Sequence, residues 1–513
     1  MTKEFRVIQH FDVLIVGGGI AGIAIAEFLS RHSNLRIKVI EAAAKLGTGA
    51  SGKLEGWFHS GTLYSGQEDP QTFMNCLNSL EDLHNFYSTF FRGRCNMELE
   101  EIRQDIFIPR SRGQGWFSNS PLYYVLPSKN SPEIRLSHLS NDWMYWKVQQ
   151  RRILNRLESA FVNHNWNHEG RCVSPRLEQI ESHANGVHSS LMTCEKMTCE
   201  NGPLQQVCAR FQQSFGLEGV LSQTLRSTDV PMDTTSIMRD LVASAIANGV
   251  EFQTGITIER LVTQPHSPLN VSSVLCKDSN GNLLHLKSRS FILTMGAGLK
   301  DVLPTLGLRA RIATSKSTMI VVSPALCNVS FARLSLKSRF HFNHLLRQEK
   351  DESVPWSMLA DSCAEREPGD NVSGVYSLLE AAERYFSAEE LYRRKVISYE
   401  CLKTEFISSE DEKRRYSYWI EQNGNAISVL PGKFTFFPTV AYQTFLNLKS
   451  MLGFEARQSA SVYLPNPRYE MLARSLVAPS FAQTVLRQTG NLTLHTEAPG
   501  KAGEAAESLG LTG

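Results

Sequence analysis

Three glycines at positions 17, 19 and 22 carry the spacing G-x-G-x-x-G within "DVLIVGGGIAGIAIAEFLSRHSNLRIKVIEA", residues 12–42. Each meets a separate demand: a tight turn at Gly17, close approach of backbone to a diphosphate at Gly19, and close packing of helix on strand at Gly22. A helix starting near Ile20 aims its unpaired N–H groups and the positive end of its dipole at the same point. Glu41 stands ~20 residues beyond the third glycine, where a carboxylate accepts hydrogen bonds from both ribose hydroxyls of an adenosine and repels a 2′-phosphate. The chemistry these residue types and spacings fit is capture of an adenine dinucleotide.

The elements needed to position those groups are present in order. Residues 12–16 form a short apolar run, Ile20, Ile23, Ala24 and Phe28 have helical spacing, and "IKVIEA" is a second buried strand, so the segment reads as a βαβ unit. Further on, Asp233 or Thr234 can cap a helix with Ile237, Leu241, Val242, Ala245 and Ile246 on its buried face, ended by Gly249. A strand, an Asn-Gly turn and more strands then lead to Gly296 and Gly298. Two other helices are expected in "QTFMNCLNSLEDLHNFYSTFF" and "DWMYWKVQQRRILNRLESAFVNHNW". "TSKSTMIVVSPA" reads as a strand and "SLLEAAERYFSAEELYRRK" as one helix. Residues 179–217 read as a polar excursion, and the Ala/Gly/Glu-rich C-terminal residues as a disordered tail.

Composition sets the bounds. A chain of 513 residues with 42% hydrophobic content is long enough for two or three packed modules. Its 53 basic and 51 acidic residues leave a net charge of +2, which gives no reason to expect nucleic acid as a partner. No apolar run approaches the ~20 residues that a membrane helix requires, and no secretory signal precedes the first strand. Cys194, Cys199 and Cys208, the one local cluster among ten cysteines, lack CxxC spacing and paired histidines, so no metal is expected. A cytoplasmic protein is the reading, with peripheral membrane contact left open.

Four stretches together resemble the flavoprotein superfamily of D-amino-acid oxidase, glycine oxidase, glycerol-3-phosphate dehydrogenase and L-2-hydroxyglutarate dehydrogenase. The first is the βαβ unit. The second is "GTGASGKLEGWFHSGTLYS", whose Ser51 and Gly52 match a flavin-wrapping segment and whose His59 to Tyr64 is similar to "HSGIYY" and "HGGLRY". The third is "IANGVEFQTGITIERL" with "FILTMGAGL"; the resemblance places Ile258 against adenine, and Gly296 and Gly298 near the diphosphate. The fourth, "LPGKFTFFPTVAYQTF", is similar to the "GGKxTTYRxMAE" of glycerol-phosphate dehydrogenases and implies flavin contacts at Gly432, Lys433, Phe434 and Thr435. Reduced flavin gathers negative charge at the edge such a segment faces, and a lysine with a helix dipole would stabilise it.

The resemblance implies FAD as cofactor and hydride transfer to flavin N5 from a carbon bearing OH or NH. The protein then supplies a base for the heteroatom proton and cations for an acid group. His59 is the candidate base, because an imidazole works near neutral pH. Tyr64 can donate a hydrogen bond to a bound carboxylate, and Lys316 in "TSKSTMIVV" resembles the lysine of the family's "SKGxHxVV" strand. Leu63 stands where "HGGLRY" has arginine, which lowers the case for glycerol 3-phosphate unless Arg339 or Arg347 substitutes.

The expected fold is α/β: a discontinuous Rossmann-type two-dinucleotide-binding FAD domain over residues 1–75, 218–310 and 422–455, and an α+β substrate domain with an antiparallel sheet over 76–217 and 311–421. Residues 456–513 form a C-terminal extension. The function read from these residues is oxidation of the CH–OH group of a small hydroxy acid or polyol, with a quinone, oxygen or another electron acceptor. Amine oxidation, and a flavin-binding redox or scaffold protein without turnover, stay open as alternatives.

Overall fold

Alternation along the first strand decides what covers it. In β1 (Arg6–Val16), Val13 and Ile15 enter one buried cluster while Leu14 and Val16 enter another, as the two-residue period of a strand with both faces covered requires. Helix α1 (Ile20–His32) follows, then β2 (Ile37–Glu41), parallel to β1 with Val13 opposite Ile37 and Val16 opposite Ile40. These elements belong to a computed structural model that describes residues 6–59, 71–87, 97–103, 106–111, 116–118, 122–126, 196–198, 223–226, 229–308, 311–333, 342–347, 354–361, 371–407, 417–457 and 463–488.

Among the described residues, the first sheet has eight strands. Beside β2 lies β10 (Glu251–Thr254), and on the other side of β1 lies β13 (Leu283–Leu293), both parallel to their neighbours. β11 (Ile256–Gln264) and β12 (Ser267–Asp278) join β13 as an antiparallel meander. At the far end of β13, β20 (Ala426–Leu430) adds in parallel and β19 (Trp419–Asn423) pairs with it. One face packs α1, α3 (Gln71–Tyr87), α4 (Thr234–Ala247) and α8 (Phe437–Leu452); the other is covered by the meander and the short α5 (Leu299–Val302). Asp233 is the N-cap of α4, accepting from the Ser236 N–H at 2.9 Å.

The second sheet, also of eight described strands, runs in the order β18 (Lys395–Phe406), β14 (Ile312–Ser323), β17 (Trp356–Asp361), β16 (Phe342–Arg347), β15 (Ser330–Arg333), β6 (Leu122–Leu126), β8 (Gln223–Arg226) and β7 (Lys196–Thr198). Its described pairs are antiparallel, as expected, except β15 with β6, which is parallel. α6 (Asn371–Glu383) and α7 (Ala388–Tyr392) replace the single helix expected there. The Ser387 hydroxyl and the Glu390 carboxylate form a reciprocal capping box that starts a new helix. Two small pairs complete the set, β4 (Met97–Arg103) with β5 (Ile106–Ser111) and β3 (Trp57–Phe58) with β9 (Val230–Pro231). After α8 come α9 (Pro467–Leu476) and α10 (Phe481–Gln488). The helix expected within "DWMYWKVQQRRILNRLESAFVNHNW" and the expected C-terminal tail lie outside the described residues. No described helix is long and apolar enough to cross a membrane.

Candidate functional site

The three glycines of the first turn do different work. At Gly17, φ is +110° and a Cβ would come within 2.5 Å of the Thr294 carbonyl oxygen, so no other residue fits. At Gly22 a Cβ would lie 2.0 Å from the Gly17 carbonyl oxygen, which ties the start of α1 to the turn. Gly19 is unlike both: a Cβ there would meet Ser51 Oγ at 3.3 Å and no other protein atom within 4 Å. Packing within the protein therefore demands glycine far less at 19 than at 17 or 22.

Second-strand and loop residues close on the same turn. Glu41 Oε2 accepts from the Gly18 N–H at 2.6 Å and its Oε1 from the Ala43 N–H at 2.9 Å, which fixes the carboxylate at the end of β2. α2 (Ala50–Lys53) carries Ser51, whose hydroxyl accepts from the Ile20 N–H at 3.0 Å, the opening of α1. Gly47 donates its N–H to the Gly18 carbonyl at 2.9 Å, and Gly52 fits against the Gly47 carbonyl, where a Cβ would stand at 2.3 Å. Thr294 Oγ1 donates to the Val16 and Gly17 carbonyls, and Gly296 and Gly298 follow in a 3-10 turn. Ile258 sits half-buried in β11, opposite Cys276, just beyond the Thr254 that pairs with Glu41. The turn residues, Glu41, Ser51, Gly52, Gly296 and Gly298 thus come together at one end of the first sheet, beside the N-terminus of α1.

A second cluster forms where β3 enters. The His59 N–H donates to Thr435 Oγ1 at 3.1 Å, joining segments 376 residues apart, and Ser79 Oγ of α3 donates to the Thr435 carbonyl. His59 Nδ1 faces Asp229 Oδ2 at 3.4 Å, both residues buried. A carboxylate can only accept, so the neutral ring carries its proton on Nδ1 and keeps a lone pair on Nε2. Burial pushes His59 below its ordinary pKa; Asp229 opposes the shift and Lys433 adds to it. Lys433 is pushed down to about 8 by burial, against the pull of Glu405 and Cys76. Phe434 is buried with Phe437 beside it, and Gly432 is held by the Ser417 carbonyl, 2.2 Å from where a Cβ would stand. The glycine at 432 therefore serves backbone packing.

Lys316 is not brought to this cluster. It lies on the face of β14 that carries Ile320 and Val322 into the core beneath α6, and it pairs with Glu400 at 3.0 Å. Strand alternation turns Ser315, Ser317, Met319 and Val321 the other way, toward the core that contains Trp57. The lysine on that face is Lys403 of β18, opposite Ser315, which lies 3.4 Å from Glu55. Burial alone would lower Lys403, but Glu55, Cys401 and Glu405 together hold it above its ordinary value. Arg347 donates to the Met232, Glu55 and Gly56 carbonyls, clamping the segment before β3 to the second sheet. Tyr64, Leu63 and Arg339 lie outside the described residues. Asp229, Glu55 and Lys403 were missed: no motif marks Asp229, whereas the period of β18 could have set Lys403 apart from Glu400.

Comparison with known proteins gives three findings. A family model described as FAD dependent oxidoreductase matches residues 12–411. L-2-hydroxyglutarate dehydrogenase, mitochondrial, from Nematostella vectensis is 43% identical over 58 residues, 11% of this chain and 13% of that protein, so the match spans about an eighth of its length. Among solved structures, L-alpha-glycerophosphate oxidase from Mycoplasma pneumoniae superposes with a TM-score of 0.55 at 13% identity, covering 90% of this chain and 100% of that one. Glycine oxidase from Geobacillus kaustophilus gives 0.53 at 12%, covering 89% and 99%. An FAD dependent oxidoreductase from Pseudomonas aeruginosa gives 0.53 at 15%, covering 91% and 99%. At these identities the structural likeness speaks to the fold.

Proposed function

The chain belongs to the family of FAD dependent oxidoreductases, and on that footing we propose that it oxidises the CH–OH group of a small hydroxy acid or polyol. Family membership sets aside the non-catalytic scaffold as an alternative. In this reading the first sheet is a Rossmann-type two-dinucleotide-binding unit. Its turn at Gly17, Gly19 and Gly22 approaches the FAD diphosphate, Glu41 takes the ribose hydroxyls, and Ser51, Gly52, Ile258, Gly296 and Gly298 line the adenosine half. Lys433, Phe434 and Thr435, at the entry to α8, face the flavin. The open space at Gly19 and the carboxylate fixed at Glu41 fit such a group.

Bound FAD supplies the acceptor for the hydride that leaves the substrate carbon. The remaining work is done by the chain. His59 Nε2 takes the hydroxyl proton while Asp229 keeps the ring in the tautomer that leaves Nε2 basic. Lys403 and Lys433 are the cations this face offers a substrate carboxylate, which would compete for them with Glu55 and Glu405. Trp57, with its ring 4.7 Å from that of His59, limits how the imidazole can turn. A hydroxy acid is preferred to an amine here on the match to L-2-hydroxyglutarate dehydrogenase, 43% identical over 58 residues and 13% of that protein.

The observation that carries this reading is the junction of His59 with Thr435 and Asp229, which gathers a base, its orienting carboxylate and the "GKFT" segment at one point. Stopped-flow anaerobic reduction of the holoprotein by 2-hydroxyglutarate tests it. His59→Gln is expected to retain bound FAD and to slow reduction by roughly 10²- to 10⁴-fold, the usual contribution of a positioned base. A wild-type rate in that variant would remove His59 from the chemistry.

A further inference from the structure

Residues 463–488 lie beyond the family match, which ends at 411, yet they touch both halves of the molecule. Val477 forms a parallel bridge with Leu46, the Leu46 N–H donating to the Leu476 carbonyl and the Ala478 N–H to the Leu46 carbonyl, each at 2.9 Å. Lys45 Nζ donates to the Ser475 carbonyl. One turn further on, Phe481 lies under the Lys53 ammonium, 4.5 Å from its ring centroid, and edge-on to Tyr399 of β18 at 4.9 Å. The Tyr399 hydroxyl closes the triangle by donating to the Lys53 carbonyl at 3.1 Å. Ala482 and Leu486 pack into the core that holds Ala50 and Leu54 of the loop with Met319 and Val321 of the second sheet.

The loop so held, residues 45–54, is the one that reaches the glycine turn through the Gly47 N–H on the Gly18 carbonyl and the Ser51 hydroxyl on the Ile20 N–H. We propose that the C-terminal segment is a strap that pins this loop against the turn and thereby slows release of FAD, with Val477 and Phe481 as positioning residues that do not touch the cofactor. The inference rests on the reading that the glycine turn holds FAD. The strap joins the loop at two separated places and anchors it to β18, so the loop cannot lift from the turn unless one anchorage breaks. Its two anchorages differ in chemistry: a backbone bridge at Leu46, and a cation over an aromatic ring at Lys53.

The test follows the rise of free flavin fluorescence after dilution of full-length holoprotein, together with apoprotein melting. Phe481→Ala is expected to speed FAD release roughly tenfold, the scale set by one cation–π contact with its aromatic neighbour, while apoprotein melting stays near wild type. Ala478→Pro, which removes the N–H donated to Leu46, is expected to act in the same direction, and Met471→Ala, on the exposed side of α9, to leave release unchanged. Wild-type release in both strap variants overturns the proposal. Faster release accompanied by an equal loss of apoprotein stability also overturns it, because that marks a general weakening. Gly19→Val separates the premise: if it abolishes FAD binding while the strap variants behave as wild type, the strap alone is wrong. If it binds FAD normally, the cofactor is not at this turn and both fall.

Discussion

His59 and the glycines of the first turn are the residues whose chemistry can be tried singly. As a base, His59 must be neutral, and burial holds its pKa below the ordinary 6.5. The rate of flavin reduction should therefore be flat near neutrality and fall only as pH drops through that lowered pKa. Asp229 raises the His59 pKa in the native protein, so Asp229→Asn should move the acid limb to still lower pH and lower the plateau as the tautomer is lost. A limb that stays in place would mean that Asp229 does not govern the base. At the turn, Gly22→Ala puts a methyl 2.0 Å from the Gly17 carbonyl oxygen and should cost both fold stability and FAD. Gly19→Ala, which meets only Ser51 Oγ, should keep the apoprotein's melting temperature and weaken FAD binding. Thermal melts with and without FAD distinguish the two, and equal behaviour of the two variants would contradict the division of labour.

At the scale of elements, two buried polar knots hold the frame. Glu27 and Arg31 pair at 2.9 Å on α1, and the Ser244 hydroxyl of α4 donates to Glu27 at 2.9 Å. Arg31→Ala would leave Glu27 buried and short of its main partner, a loss of about 3–5 kcal/mol, read as a fall in midpoint by denaturant titration. An unchanged midpoint would show that α1 and α4 do not depend on the pair. In the second sheet, His344 donates from Nδ1 to the Val329 carbonyl at 2.9 Å and accepts from Ser357 at 2.7 Å, and burial pushes its pKa down to about 4. Between about pH 6.5 and 4 the unfolded chain binds a proton that the native one refuses, so stability falls with pH over that window, by about 3 kcal/mol in total. His344→Gln should flatten this part of the pH–stability curve; parallel curves would refute the assignment. The βαβ unit was legible because glycine spacing, strand alternation and helical period all agreed. The break at Ser387 was also written in the chain as S-x-x-E, though the surrounding helical pattern masked it. What could not be read was orientation: alternation says that Lys316 and Ser317 face opposite ways, but only packing against α6 decides which meets the site. Asp229 was beyond reach for a related reason, since the histidine it faces is 170 residues away.

Across the whole molecule, the first sheet with its covering helices gathers the glycine turn, Glu41 and Ser51, the second presents Lys403 and Arg347 toward β3, and the C-terminal segment packs on the 45–54 loop. The proposed function depends on that joint placement: the proposed base, His59, comes from the loop after the first βαβ unit, Asp229 from the approach to α4, and the segment proposed to face the flavin follows the last strand of the first sheet. The decisive measurement is the visible spectrum of the purified protein during anaerobic additions of 2-hydroxyglutarate, glycerol 3-phosphate and glycine. Flavin bands are expected to bleach with the hydroxy acid and persist with glycine. Bands that bleach with glycine alone, or a protein that holds no flavin after incubation with FAD, would contradict the proposed function.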